Sequence, residues 1–168
     1  YSSESVCAKS IDNLKFIAQE FRKREKLEGT TIRLALEAEP FSAFTSTISL
    51  IQFLAEALPN DLDHVGVCWD LCHSAVIGEK HENVLDAAKK YGVSIVKVQI
   101  SSALKRRAPW CDDSVQDLQV LAASAYFHQT WCDNTAGVVR SYKDLDAYLL
   151  DLAKPFEEWR THCHVPIY

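Results

Sequence analysis

Short apolar runs alternate with stretches of helical spacing through the first hundred residues. Strands are predicted over residues 31–37, 64–70 and 93–100, and helices precede them over residues 5–26, 46–58 and 79–91. In the second helix Ile48, Ile51 and Leu54 recur at the spacing that places them on one face. Helices that alternate with strands through short connections are typical of a parallel sheet with βαβ crossovers.

This rhythm breaks after residue 100, and the next apolar strand is predicted only at 159–165. The intervening stretch is predicted to hold a basic loop, a helix around residues 114–125, an inserted β-hairpin and a further helix over residues 144–153. The hairpin spans residues 126–142 and has a turn rich in Asp, Asn and Gly. Because it interrupts the strand rhythm, we expect it to extend from the parallel sheet rather than to join it.

Polar residues repeatedly follow the predicted strands. They are Glu37 and Glu39, Asp70 with His73, Gln99, and His162 with His164. In an α/β barrel the active site lies where parallel strands end. Carboxylate and imidazole side chains are ligands for Zn²⁺, Mn²⁺ or Fe²⁺, so the pattern predicts a pocket with divalent-metal chemistry.

Five motifs in order resemble one family. They are LALEAEP from Leu34, VGVCWDLCH from Val65, KVQISSAL from Lys97, YFHQ from Tyr126 and HCHVP from His162. Together they resemble the metabolite-traffic protein EboE family, which is similar to the xylose-isomerase-like sugar phosphate isomerase/epimerase proteins. The resemblance implies an α/β fold of parallel β/α units, a partial TIM barrel that forms a single domain over residues 1–168 and supplies strands four to seven of eight.

The resemblance also implies a metal site that this chain holds in part. Glu37 and Asp70 match two ligands of the superfamily, and Gln99 stands where a His is often found. The glutamate of strand eight would lie beyond Tyr168, so we expect the 168-residue chain to bind metal weakly and to lack isomerase turnover.

Roles follow from residue type and position. The predicted metal ligands are Glu37, Asp70, His73 and His164; the predicted catalytic residues are Glu37, Glu39 and His164; and the predicted substrate-binding residues are His73, Gln99, His128, His162, Lys105 and Arg106. Each has a plainer alternative: a solvated carboxylate for Glu39, a helix cap for Asp70, and a solvated loop for the basic run that includes Lys105.

The sequence is compatible with three kinds of function. A metal-dependent sugar or polyol isomerase or epimerase would use the metal to polarise a carbonyl and a carboxylate to move the proton. A non-catalytic carrier of a small polar metabolite, or a structural or interaction subunit, would use the same fold without turnover. An apurinic endonuclease needs a basic DNA-binding face, and the net charge of −5 disfavours it.

Composition narrows the partners and the compartment. A pI near 5.7 disfavours nucleic acid as a partner, and no apolar run reaches the roughly 18 residues of a membrane span. The six cysteines are predicted to be free buried thiols in an intracellular, reducing compartment, with a zinc site of Cys68, Cys72 and Cys163 as the alternative. Because the chain begins with Tyr1 and its first and last strands are apolar, we expect it to belong to a longer chain, to pair with another subunit, or to self-associate.

Overall fold

The computed structural model describes residues 3–107, 119–123, 128–134, 139–151 and 157–165, without the side chains of residues 3–7, 164 and 165. Its contacts divide the chain into two compact units. The first unit comprises Tyr1–Ala38, Ser46–Trp69 and Lys80–Gln99, and the second comprises Glu39–Thr45, Asp70–Glu79 and Ile100–Tyr168.

Helices and strands alternate in the first part of the described chain, and strands dominate the second. The elements in chain order are α1 Ser3–Glu28, β1 Leu34–Glu37, α2 Thr47–Ala57, β2 Val65–Asp70, α3 Leu71–Ile77, α4 His81–Tyr91, β3 Ile95–Gln99, β4 Ser102–Arg107, β5 Thr130–Asp133, β6 Val139–Tyr142, α5 Leu145–Leu150 and β7 Glu158–Val165. Residues 119–122 are also helical. The helices predicted over residues 5–26, 46–58 and 79–91 are confirmed as α1, α2 and α4, whereas α3 was not predicted. The helices predicted over residues 114–125 and 144–153 are confirmed at 119–122 and 145–150, and residues 114–118, 124–125 and 152–153 lie outside the described part of the chain.

The described strands of the first unit form a parallel sheet in the order β1-β2-β3. Every residue of the central strand β2 is buried, as the continuous apolar run of a strand covered on both faces predicts. The helices α2 and α4 pack against each other. Fully buried side chains from α2, β2 and α4 make up this core: Leu50, Ile51, Leu54, Val65, Val67 and Val84.

The backbone requires glycine at two positions of the first unit. Gly92 ends α4 with φ +67°, a left-handed conformation in which glycine carries no steric cost. Gly66 lies inside β2, where a β-carbon would stand 2.4 Å from the carbonyl oxygen of Ser94 and 2.7 Å from Cγ2 of Val96. The close packing of β2 against the strand beside it therefore requires a residue without a side chain at position 66.

The described strands of the second unit form an antiparallel sheet in the order β4-β7-β5-β6. Its residues alternate between two faces with the period of two that strands impose. In β7, Trp159 and Thr161 are completely buried, whereas Glu158, Arg160 and His162 lie on the opposite, polar face. The sheet thus has one apolar and one polar face.

The apolar face of this sheet forms the core of the second unit. Trp159 of β7 and Cys132 of β5 pack with Leu145 and Tyr148 of α5, and all four are buried. Trp159 and Tyr148 have ring centroids 6.3 Å apart. One end of α5 is fixed by Asp144, whose side chain accepts a hydrogen bond from the backbone N–H of Leu145.

The predicted partial TIM barrel is wrong. A barrel needs every strand in one parallel sheet, but β7 is antiparallel to β4 and β5 and belongs to a different sheet from β1, β2 and β3. The alternation along β7 gives the physical reason: a strand with one polar face suits an antiparallel sheet that is covered by apolar residues on one side. β7 also lies between two neighbours, so the last predicted strand, residues 159–165, is not an unpaired edge.

Two further predictions for the second unit need correction. The basic run that was predicted as a loop, Lys105, Arg106 and Arg107, lies in the strand β4. The predicted hairpin strands do pair, since β5 and β6 are antiparallel neighbours, but β5 also pairs with β7. The hairpin strands therefore belong to a larger sheet instead of extending from a parallel one.

Three cations converge on one carboxylate of the polar face. Glu158 lies 2.7 Å from Lys105 Nζ, 2.5 Å from Arg107 Nε and 2.7 Å from Arg160 Nη1. Burial works to raise the pKa of Glu158, but hydrogen bonds from these three side chains outweigh it and lower the pKa from 4.5 to about 2. Arg160 also pairs with Asp133 of β5 at 3.0 Å, so the ion pairs span β4, β7 and β5.

We expect the second unit to lose stability in acid because of Glu158. A carboxyl whose pKa is lower in the folded state stabilises that state above its unfolded pKa, and this contribution disappears as pH falls from 4.5 towards about 2. The free energy of unfolding of Glu158→Gln should therefore decline less steeply across that window than the wild-type value. Urea titrations at a series of pH values would measure both slopes; equal slopes would contradict the prediction.

Two other expectations from composition can be compared with the described residues. Cys68, Cys72 and Cys132 are buried thiols outside any disulfide, as predicted, whereas Cys163 is a half-buried thiol, and the side chains of Cys7 and Cys111 lie outside the described residues. No helix in the described part of the chain has both the length and the apolar character needed to cross a membrane.

Candidate functional site

Three potential metal-donor side chains meet within the second unit. They come from different parts of the chain: Glu39 from a loop, His73 from α3 and His162 from β7. One donor atom from each lies within 4.8 Å of the donor atoms of the other two. His73 is buried, His162 is half-buried and Glu39 is exposed, so the cluster reaches from the protein interior to solvent.

The helix α3 places His73 over the polar face of the antiparallel sheet. Asp70 caps this helix: its Oδ1 accepts hydrogen bonds from the backbone N–H groups of Cys72 at 2.8 Å and His73 at 3.2 Å. At the other end of α3, the carbonyl oxygen of Val76 accepts a hydrogen bond from Arg160 Nε at 3.0 Å. The cap thus fixes the start of α3, and the Arg160 contact holds its other end against β7. The rings of His73 and His162 meet edge to face with centroids 4.7 Å apart.

A closed turn presents Glu39. The backbone N–H of Glu39 donates to the carbonyl oxygen of Phe44, and the N–H of Ser42 donates to the carbonyl oxygen of Glu39, both at 3.0 Å. Within this turn Phe41 has φ +62°, which is uncommon for a bulky residue, and its ring contacts Trp131 of β5 with centroids 4.8 Å apart. The turn is thus held both by its own hydrogen bonds and by an aromatic contact with the sheet.

The amide of Gln129, immediately before β5, connects two of the three donors. Its Nε2 donates to Oε1 of Glu39 at 3.2 Å, and its Oε1 is hydrogen-bonded to Nδ1 of His162. The backbone supports the same pairing, since the N–H of His162 donates to the carbonyl oxygen of Gln129 at 2.8 Å. Gln129 is itself buried, and both of its side-chain hydrogen bonds are partly buried.

The neighbouring thiol differs from the three donors in its chemistry. Cys72 precedes His73 in α3 and is completely buried. This burial raises the pKa of Cys72 to about 12, so the thiol is neutral at physiological pH. A metal ligand would have to be the thiolate, and Cys72 therefore packs as a small apolar residue beside the cluster.

The predicted site residues are distributed over both units. In the first unit, Gln99 Nε2 donates to Oε1 of Glu37 at 2.9 Å, so the ends of β3 and β1 do meet. In the second unit Lys105 pairs with Glu158 rather than lying in a loop, and Arg106 faces away from that pair in the alternation of β4. The imidazole of His128, predicted to bind substrate, is buried with its Nδ1 3.9 Å from Oδ1 of Asp144.

Two predicted metal ligands remain, Asp70 and His164. Asp70 is the helix cap that the sequence left as its alternative role. The side chain of His164 lies outside the described residues, and its predicted catalytic and metal-binding roles stay predictions. The sequence reasoning missed Gln129 entirely and assigned Glu39 and His162 to other roles; the same-face alternation of Arg160 and His162 was the available signal for His162.

The donor set determines what this arrangement can do. Two imidazoles and one carboxylate form a ligand set that Zn²⁺, Fe²⁺ and Mn²⁺ accept, and three protein ligands leave coordination positions for another molecule. Comparisons of the chain with models of known protein families, with curated proteins and with solved structures found no match.

Proposed function

We propose that this protein binds one divalent transition-metal ion through Glu39, His73 and His162. The observation that supports the proposal is the mutual approach of their donor atoms, all within 4.8 Å of one another. The burial of His73 and the hydrogen bonds on Glu39 and His162 hold the side chains before a metal arrives, so less ordering is needed on binding.

We further propose that a small polar metabolite with an oxygen donor is the molecule handled at this centre. A divalent cation there would polarise a carbonyl or hydroxyl oxygen of that molecule. Glu39 is the donor nearest to solvent, so the open side of the cluster lies beside its carboxylate. This ligand set is complete within the described residues and does not need the additional glutamate that the family resemblance implied.

The two functional alternatives differ in what happens after binding. An enzyme would convert the metabolite, whereas a carrier would bind it in a metal-dependent manner and release it unchanged. A panel of aldoses, ketoses and polyols, tested with the metal-loaded protein, would separate the two: turnover supports an enzyme, and saturable binding without turnover supports a carrier.

Metal binding is the primary test. Calorimetric titration of the purified chain with Zn²⁺ should show one site, and His162→Ala should weaken it by more than the about 10–100-fold that loss of an outer partner costs. Glu39→Gln should also weaken it, since an amide is the poorer ligand. His81→Ala is the matched control, because His81 is exposed and lies at the start of α4 in the first unit.

Two outcomes would contradict the proposal. Wild-type protein that retains no Zn²⁺, Mn²⁺ or Fe²⁺ at micromolar concentrations would exclude a functional centre. Equal affinity in the wild type, His162→Ala and Glu39→Gln would place the bound ion elsewhere. Circular dichroism of each variant should match the wild type, so that lost binding is not lost folding.

A further inference from the structure

The side chain of Gln129 lies between a histidine and a carboxylate, and only one orientation of its amide satisfies both. Glu39 is an acceptor when ionised, so the amide must turn its NH₂ group towards that carboxylate. The amide oxygen then faces Nδ1 of His162, as the structure has it. The opposite orientation would place two oxygen acceptors against each other at Glu39.

This orientation determines where His162 carries its proton. An amide oxygen only accepts hydrogen bonds, so Nδ1 of a neutral His162 must be the nitrogen that donates. The lone pair of the imidazole is then on Nε2, the nitrogen on the other side of the ring. Metal-binding histidines have their tautomer set in this way, by the hydrogen bond that the second ring nitrogen makes.

The same amide also orders the carboxylate. Glu39 is exposed, and a long exposed side chain loses rotamer entropy when it becomes fixed. The hydrogen bond from Gln129 Nε2 to Glu39 Oε1 already restricts this side chain in the metal-free protein, so less rotamer entropy is lost when a metal binds. One buried side chain thus acts on two of the three donors at once.

We infer that Gln129 is the positioning residue of the metal centre: it sets His162 in the tautomer that presents Nε2 and holds Glu39 beside it. The inference rests on the proposed metal-binding function and adds how the site is prepared for the ion. Residues that orient metal ligands in this way typically change affinity by about 10–100-fold when they are replaced. A loss of that size is expected for Gln129.

The test uses Gln129→Met, which keeps the approximate length of the side chain and removes both hydrogen bonds. Zn²⁺ affinity should fall about 10–100-fold. The matched control is Gln52→Met, an exposed glutamine of α2 in the first unit, which should bind Zn²⁺ as the wild type does. Circular dichroism and urea unfolding of both variants show whether the fold is retained.

The second readout follows the tautomer and does not depend on metal. Long-range ¹H–¹⁵N correlation spectra of the metal-free protein, in mildly alkaline solution where imidazoles are neutral, should place the proton of His162 on Nδ1. Gln129→Met should lose this preference, because its side chain offers His162 no amide oxygen. A residue that only stabilised the fold would not move this signal.

The outcomes separate this inference from the proposed function. A wild-type His162 with its proton on Nε2 would overturn the inference, even if Gln129→Met cannot be purified. Zn²⁺ binding that is equal in the wild type and Gln129→Met would overturn it as well and leave the metal site standing. A wild type with the Nδ1–H tautomer that binds no metal would overturn the proposed function, and the inference with it.

Discussion

Replacement of Trp159 by alanine should lower the free energy of unfolding of the antiparallel sheet unit by about 3–5 kcal/mol, the usual cost of removing a large aromatic side chain from a core. Trp159 is only 1% exposed and packs with Cys132, Leu145 and Tyr148, so its removal leaves a cavity that α5 and β5 both line.

Urea unfolding followed by far-ultraviolet circular dichroism would measure this loss. Trp159→Phe should cost less than the alanine variant, because the ring still fills part of the volume. Leu150→Ala is the matched control on α5: Leu150 is 79% exposed, and surface substitutions usually change stability by no more than about 0.5 kcal/mol. A loss below about 1 kcal/mol in Trp159→Ala would mean that this core does not carry the second unit.

Gly66→Ala should destabilise the parallel sheet by about 3 kcal/mol, at the upper end of the cost of overpacking. Its β-carbon would stand 2.4 Å from the backbone carbonyl oxygen of Ser94, and a backbone atom within a sheet cannot rotate away. Relief would need β2 and β3 to separate, yet the N–H of Val67 donates to that same carbonyl oxygen at 3.0 Å.

Gly92→Ala is the control for this prediction. A β-carbon at Gly92 would meet nothing within 4 Å, so the variant pays only for the left-handed backbone, about 1 kcal/mol after the gain from a less flexible unfolded chain. Thermal unfolding monitored by circular dichroism should rank the proteins as wild type, Gly92→Ala and Gly66→Ala in falling stability. A Gly66→Ala protein as stable as Gly92→Ala would contradict the close approach of β2 and β3.

The first unit could be predicted from the sequence because its signals are local. The apolar run of β2, the helical spacing in α2 and the glycine after α4 each determine structure within a dozen residues. Parallel pairing of β1 with β2 follows from the helix between them. Contacts that are short in sequence are the ones that a pattern can show.

The second sheet could not be predicted, because its determinants are distant in the chain. Three consecutive basic residues, Lys105 to Arg107, are typical of a solvated loop, and the pairing of Lys105 and Arg107 with the distant Glu158 cannot be seen in the sequence. The alternation of β7 does indicate a half-buried strand, but a period of two does not say which strand it joins or in which direction. The family resemblance assigned that strand to a parallel barrel.

The residue types of the candidate site could be predicted from the sequence, but the grouping of these three residues into one site could not. Glu39, His73 and His162 were all among the predicted functional residues, and their carboxylate and imidazole groups indicated metal chemistry. Their grouping depends on how α3 and a short turn meet the antiparallel sheet, which the barrel hypothesis did not contain. Gln129 gave no signal, because an amide before a strand is ordinary until its two partners are known.

Two short segments of the second unit come early in the chain, between segments that belong to the first unit. Glu39–Thr45 and Asp70–Glu79 belong to the second unit, although the segments on either side of each belong to the first. Because the segments of the two units alternate, no single cut in the chain would leave either unit whole. α3 precedes β4, β5 and β7 in the chain, so its contacts with this sheet can form only after those strands have been synthesised.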